Sequence, residues 1–149
     1  MENVTYPSRM EGKDTVSGKP AADVVCSVSE LLLNDDNTDA GTVESEFQFA
    51  LGKTNSDGRV TQWVFEPNPS ERSRLRELGI IEQSANKLDW QVLKPGHYKI
   101  RFHVGKYFRQ KKETSFFPFV DIVFEVSDTR HYHIPLLLSN FGYTTYRGS

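Results

Sequence analysis

Two of the chain's four histidines, His131 and His133, stand two positions apart, so on a strand both side chains leave the same face. Paired imidazoles can hold a metal or, when neutral near pH 7, take a proton from water. A catalytic zinc wants about three protein ligands. His97 and His103 lie in a different segment, with no carboxylate arranged nearby in sequence as the third. No metal is therefore expected, and His97 and His103 read as exposed residues flanking a strand. His133 is set apart by the segment after it. "LLLSNFGY" turns the chain back, so "TTYRGS" should run antiparallel beside the histidines and bring Tyr146, Arg147 and Ser149 toward their polar face. Two hydroxyls and a guanidinium there could orient a planar, polar, partly anionic substrate. Arg59, just after an Asp57-Gly58 turn, is the other candidate, although an arginine taken singly is usually a solvated surface charge. Cys26 alternates with valines in "ADVVCSVSE" and reads as a buried strand cysteine rather than a nucleophile.

These residues need elements to hold them. Val24, Cys26 and Val28 have the period-two pattern of a strand, and "SEFQFALGKT" is a weaker strand with Phe47 and Phe49 on one face. "LNDDNTDAGT" between them is a polar loop. Asp57-Gly58 marks a hairpin-type turn before a short strand. In "EPNPSERSRLRELGII" the period changes: Asn68 caps, Pro69 takes the first helical position, Glu71 completes a capping box and Gly79 stops the helix. Three well-patterned strands come next. Their inward sets are Tyr98, Ile100, Phe102, Val104; then Val120, Ile122, Phe124, Val126; then Tyr132, Ile134, Leu136, Leu138. "GKYFRQKKE" has room for a second short helix. Seven or eight short strands with one or two helices predict an all-β, two-sheet sandwich. The first dozen residues show no period and predict no element.

At 149 residues, with 37% hydrophobic and 26% charged side chains, a single folded domain spanning 1–149 is expected, residues 1–13 being its atypical part. A net charge of −2 is unlike the basic excess of a nucleic-acid or anionic-membrane binder. One cysteine rules out a disulfide within the chain and suits a reducing compartment. "MENVTYPSRMEGKD" has no apolar secretory core, so secretion is not expected. The expected location is the cytoplasm or the peroxisome.

The stretch "RHYHIPLLLSNFGYTTYRGS" resembles the C-terminal signature of the 5-hydroxyisourate hydrolases, the transthyretin-related enzymes of urate breakdown. "SFFPFVDIVFEV" is similar to that family's preceding strand, "KTNSDGRV" to its arginine-bearing turn and "DTVSGKPA" to its first turn. The resemblance implies a transthyretin-like sandwich of two four-stranded sheets, assembled as a homotetramer with active sites between dimers. It implies hydrolytic opening of the six-membered ring of 5-hydroxyisourate, with no metal and no organic cofactor. By the same resemblance His133, Arg59 and Ser149 are catalytic, Tyr146 binds substrate with His133 and Arg59, and Tyr146 and Ser149 belong to the terminal tetrapeptide lining the pocket.

One motif departs. The family carries a second histidine near its N-terminus in the pattern Thr-x-His-Val-Leu-Asp; here "RMEGKD" aligns Asp14 with the aspartate and puts Glu11 in the histidine's place. Three accounts fit. An alternative first exon would leave that strand absent; a diverged chain would keep the fold as a binding protein without activity; or Glu11 would serve in the histidine's stead. The departure is confined to one edge, which favours the first account and predicts that the strand is missing.

Overall fold

The computed structural model describes residues 9–34, 42–90, 92–128 and 133–148. Its order is β1 Arg9–Asp14, β2 Lys19–Pro20, β3 Val25–Leu33, β4 Val43–Lys53, β5 Trp63–Val64, α1 Pro69–Glu77, β6 Ile81–Glu82, β7 Lys87–Asp89, β8 Gly96–Phe102, α2 Val104–Gln110, β9 Val120–Val126, β10 His133–Leu138 and β11 Tyr143–Thr145. One sheet runs β11-β10-β1-β2 and the other β6-β7-β5-β4-β3-β8-β9. The expected second sheet of four strands thus has seven. Its extra members are two- and three-residue strands too short to leave a period in the sequence.

The long strands keep their alternation. Tyr98, Ile100 and Phe102 of β8, Val120, Ile122 and Val126 of β9, and Ile134, Leu136 and Leu138 of β10 are buried in one core. Val104, expected at the end of the β8 strand, is buried at the start of α2 instead. On the outer side of β8 and β9, Arg101 donates through Nε and Nη2 to the two Asp121 oxygens at 2.7 and 2.9 Å. Cys26 is fully buried, and burial pushes its thiol pKa far up, so it is inert.

The helix α1 starts as its sequence dictates. The Asn68 side chain accepts from the Glu71 N–H, and the Glu71 side chain accepts from the Asn68 N–H. Leu75 and Leu78 are its buried anchors, and Arg74 pairs with Glu30 of β3. Among the described residues no helix is long and apolar enough to cross a membrane.

The expectation that the N-terminal strand is missing is corrected by β1. Arg9–Asp14 pair in parallel with β10, from Arg9 opposite His133 to Asp14 opposite Leu138. On the other edge β1 pairs with β2, and the Gly12 N–H donates to the Gly58 carbonyl at 2.8 Å. A strand bonded on both edges needs less apolar burial of its own. Its inward positions are taken by Gly12, which packs close to Ala21, and by Asp14, which is 1% exposed. Asp14 accepts from the backbone N–H groups of Val16 and Ser17, the Tyr107 hydroxyl and the Lys111 ammonium. That network replaces the missing apolar contact.

Candidate active site

His133 opens β10, on the face opposite the buried Ile134, Leu136 and Leu138. The return strand β11 lies antiparallel to β10, with Leu136 opposite Thr145, as the sequence predicted. The same register carries on to a bridge between His133 and Gly148, where the Gly148 N–H donates to the His133 carbonyl at 2.7 Å. A Cβ on Gly148 would lie 2.5 Å from Nδ1 of His133. Only glycine lets the tail pass this close to the ring.

Arg59 arrives from the other edge of β1. Its turn is tied by Asn55, whose Oδ1 accepts from the N–H groups of Asp57 and Arg59 at 2.9 and 3.1 Å. Gly58 has φ +77°, and a Cβ there would meet the Gly12 carbonyl oxygen at 2.5 Å. The turn therefore presses against β1, and Arg59 forms a bridge with Glu11.

The two segments meet at Glu11. Its Oε1 lies 2.9 Å from His133 Nε2, and its Oε2 lies 3.3 Å from Arg59 Nε. The Arg59 contact is a hydrogen bond. The His133 contact is an ion-pair distance with the carboxylate off the ring N–H direction, since Nε2 is buried with no hydrogen-bond partner. The short distance still matters, because Coulomb attraction does not need the linear geometry that a hydrogen bond does. The side chains of His133, Glu11 and Arg59 are 17%, 26% and 46% exposed. The cluster is an open polar patch on the outer face of the four-stranded sheet, with its base largely covered.

The other expected residues lie differently. Tyr146 is 54% exposed and stays outside this ion-pair cluster. It borders a groove of about 310 Å³ with Ile122, Phe124, Glu125, Ile134 and Arg147. Ser149 and His131 lie outside the described residues. His103 is held below the ordinary imidazole pKa by burial and then by Arg101 and Lys106, and His97 Nε2 is 3.9 Å from Glu125. Among the described residues no group of His, Cys, Asp and Glu gathers to hold a metal. Sequence reasoning missed Asn55 and Gly148. The first could have been found as an Asx-turn residue before Asp57-Gly58, and the second as the small residue beside the histidine strand.

A protein-family model for the HIUase/Transthyretin family matches residues 13–148. The chain belongs to that family. A probable 5-hydroxyisourate hydrolase of Schizosaccharomyces pombe is 35% identical over 136 residues, covering 91% of this chain and 86% of its own length. A 5-hydroxyisourate hydrolase of Deinococcus radiodurans is 34% identical over 140 residues, covering 91% and 90%. The solved Klebsiella pneumoniae 5-hydroxyisourate hydrolase shares the fold, with TM-score 0.56 and 24% identity over 95% of this chain and 97% of that one. The family match starts at Lys13, so Glu11 stands just outside the part of this HIUase/Transthyretin member that the match covers.

Proposed function

We propose that the chain hydrolyses 5-hydroxyisourate, opening its six-membered ring in urate breakdown, and that His133 and Arg59 are the centre of the site. The observation that carries this reading is the convergence of His133 and Arg59 from two distant segments on one carboxylate, in a chain whose near full-length relatives are named 5-hydroxyisourate hydrolases. Hydrolysis of a cyclic amide needs a deprotonated water, a stabilised oxyanion and a proton for the leaving nitrogen. In this reading His133 takes the proton from water as the oxygen attacks the carbonyl carbon. The carbon–nitrogen bond then breaks, and the imidazolium returns the proton to the departing nitrogen. Arg59 holds the substrate and screens the developing negative charge. Among the described residues its ion pair engages Nε alone, so both terminal nitrogens remain for that task.

Tyr146 and Ser149 complete the pocket in this proposal, with Tyr146 fixing the ring by a hydrogen bond. The open face of the four-stranded sheet is covered by a second dimer in a homotetramer. The enzyme works in the cytoplasm or the peroxisome, where a lone buried Cys26 is at home.

The test is a spectroscopic one. Purified protein added to freshly made 5-hydroxyisourate should speed the loss of its ultraviolet absorbance above the spontaneous rate. Decay at the spontaneous rate, with the substrate nonetheless bound, would make the chain a binding protein instead.

A further inference from the structure

The carboxylate of Glu11 touches both site residues at once, one oxygen to each. Two independent backbone pairings put it there. Parallel pairing of β1 with β10 sets Arg9 opposite His133 and Glu11 opposite Pro135, and a separate bridge joins Glu11 to Arg59. The two pairings fix the backbone of Glu11 from both edges, and the hydrogen bond from Arg59 Nε holds the carboxylate at the end of its side chain.

The His133 side of the contact has a specific consequence. Nε2 is buried and makes no hydrogen bond, while the Glu11 oxygen lies 2.9 Å away. A neutral imidazole gains little from that arrangement, whereas an imidazolium gains a close opposite charge in a partly dehydrated place. An interaction that grows as the reaction proceeds accelerates it, and one equally strong throughout does not. The Arg59 side works differently. Its hydrogen bond to Glu11 is made before any substrate arrives and aims the guanidinium.

We propose that Glu11 is a positioning residue that stabilises the imidazolium formed when His133 takes the proton from water, and aims Arg59 at the substrate. The proposal rests on the hydrolase reading. In the step, a bond forms between the water oxygen and the carbonyl carbon, and the proton passes to the imidazole. The carbon–nitrogen bond then breaks as that proton is delivered to the nitrogen. Glu11 keeps its charge throughout and neither gains nor loses a bond. Whichever ring nitrogen receives the proton, the same cation faces the same carboxylate.

The experiment measures kcat and KM for 5-hydroxyisourate with the wild-type chain, Glu11→Gln and Glu11→Asp, all checked for fold by circular dichroism. Glu11→Gln should lower kcat by about 10²-fold, the scale of one lost electrostatic contact to a reacting group, and raise KM by a smaller factor, about tenfold at most, as Arg59 loses its aim. Glu11→Asp, which keeps the charge, should recover part of kcat. A Glu11→Gln enzyme with wild-type kcat, or a rise in KM alone, overturns the proposal while leaving the hydrolase reading intact. A wild-type chain with no activity ends both. Should Glu11→Gln fail to fold, the nitrogen NMR signals of the His133 ring decide: they move between wild type and Glu11→Asp if the carboxylate faces the ring. Unmoved signals overturn the proposal.

Discussion

The ring of His133 has a carboxylate on one side and the α-carbon of Gly148 on the other, and these two neighbours set its position. The Gly148 contact carries a prediction. Gly148→Ala would put a methyl 2.5 Å from Nδ1, so the ring or the tail must move. A displacement of about 1 Å at a reacting group costs on the order of 10²-fold in rate. We expect kcat/KM to fall by roughly tenfold or more in Gly148→Ala, with the melting temperature shifted by less than ~3 °C because the tail carries little of the core. Steady-state kinetics and a thermal melt check it; unchanged kinetics would show that the tail gives way freely. His133 and Arg59 stood out in the sequence because they sit in an unusual block and an unusual turn, and the structure brings the two to one carboxylate. The sequence offered Glu11 as a replacement for the family's second histidine, but its contacts with His133 and Arg59 were not legible. They join residues 48 positions apart in one case and opposite ends of the chain in the other, and strand pairing between such segments leaves no local period. Tyr146 was expected beside the histidine, yet it borders the neighbouring groove.

Among the elements, β1 is the instructive one. By pattern it should not exist, since Gly12 and Lys13 stand where apolar residues would alternate. It forms because its ladder is satisfied on both edges and because Asp14, at its inward end, has four donors waiting. Burial pushes the Asp14 pKa up, but the Lys111 ammonium, the Ser17 N–H and the Tyr107 hydroxyl outweigh it and hold it below its ordinary value. A depressed folded value makes this a stabilising interaction that is complete above the ordinary aspartate pKa of 3.8 and lost as the pH falls through the lower folded one. Asp14→Asn should therefore cost ~2 kcal/mol at neutral pH, since it weakens charge-assisted hydrogen bonds in a buried place. The gap from wild type should close as the pH drops below about 4. Urea unfolding at pH 7 and at acid pH measures both; a gap that stays constant with pH would rule this account out. By contrast α1 was fully legible, because its cap, proline, capping box and stop are all local. The short strand expected after the Asp57-Gly58 turn is β5, but the two- and three-residue strands β6 and β7 were not legible, because elements that short are made by their neighbours.

At the scale of the molecule, the proposed site lies on an open sheet face. Exposures of 26% for Glu11 and 46% for Arg59 leave the charges partly in water, where their attraction is weak. Covering that face by another copy would strengthen each contact and exclude bulk solvent from the reaction. Light scattering should accordingly give the mass of four chains, and specific activity should fall with that mass on dilution. A fully active single chain would contradict this. The sandwich itself was readable because the three long strands alternate cleanly, and the family match over residues 13–148 agrees with them. The most direct measurement of the central claim compares wild type with His133→Ala on freshly generated 5-hydroxyisourate at equal protein concentration. The account predicts catalysed decay by the wild type and a rate about 10²–10⁴-fold lower for the variant, the worth of a general base. Equal rates for the two proteins would contradict it.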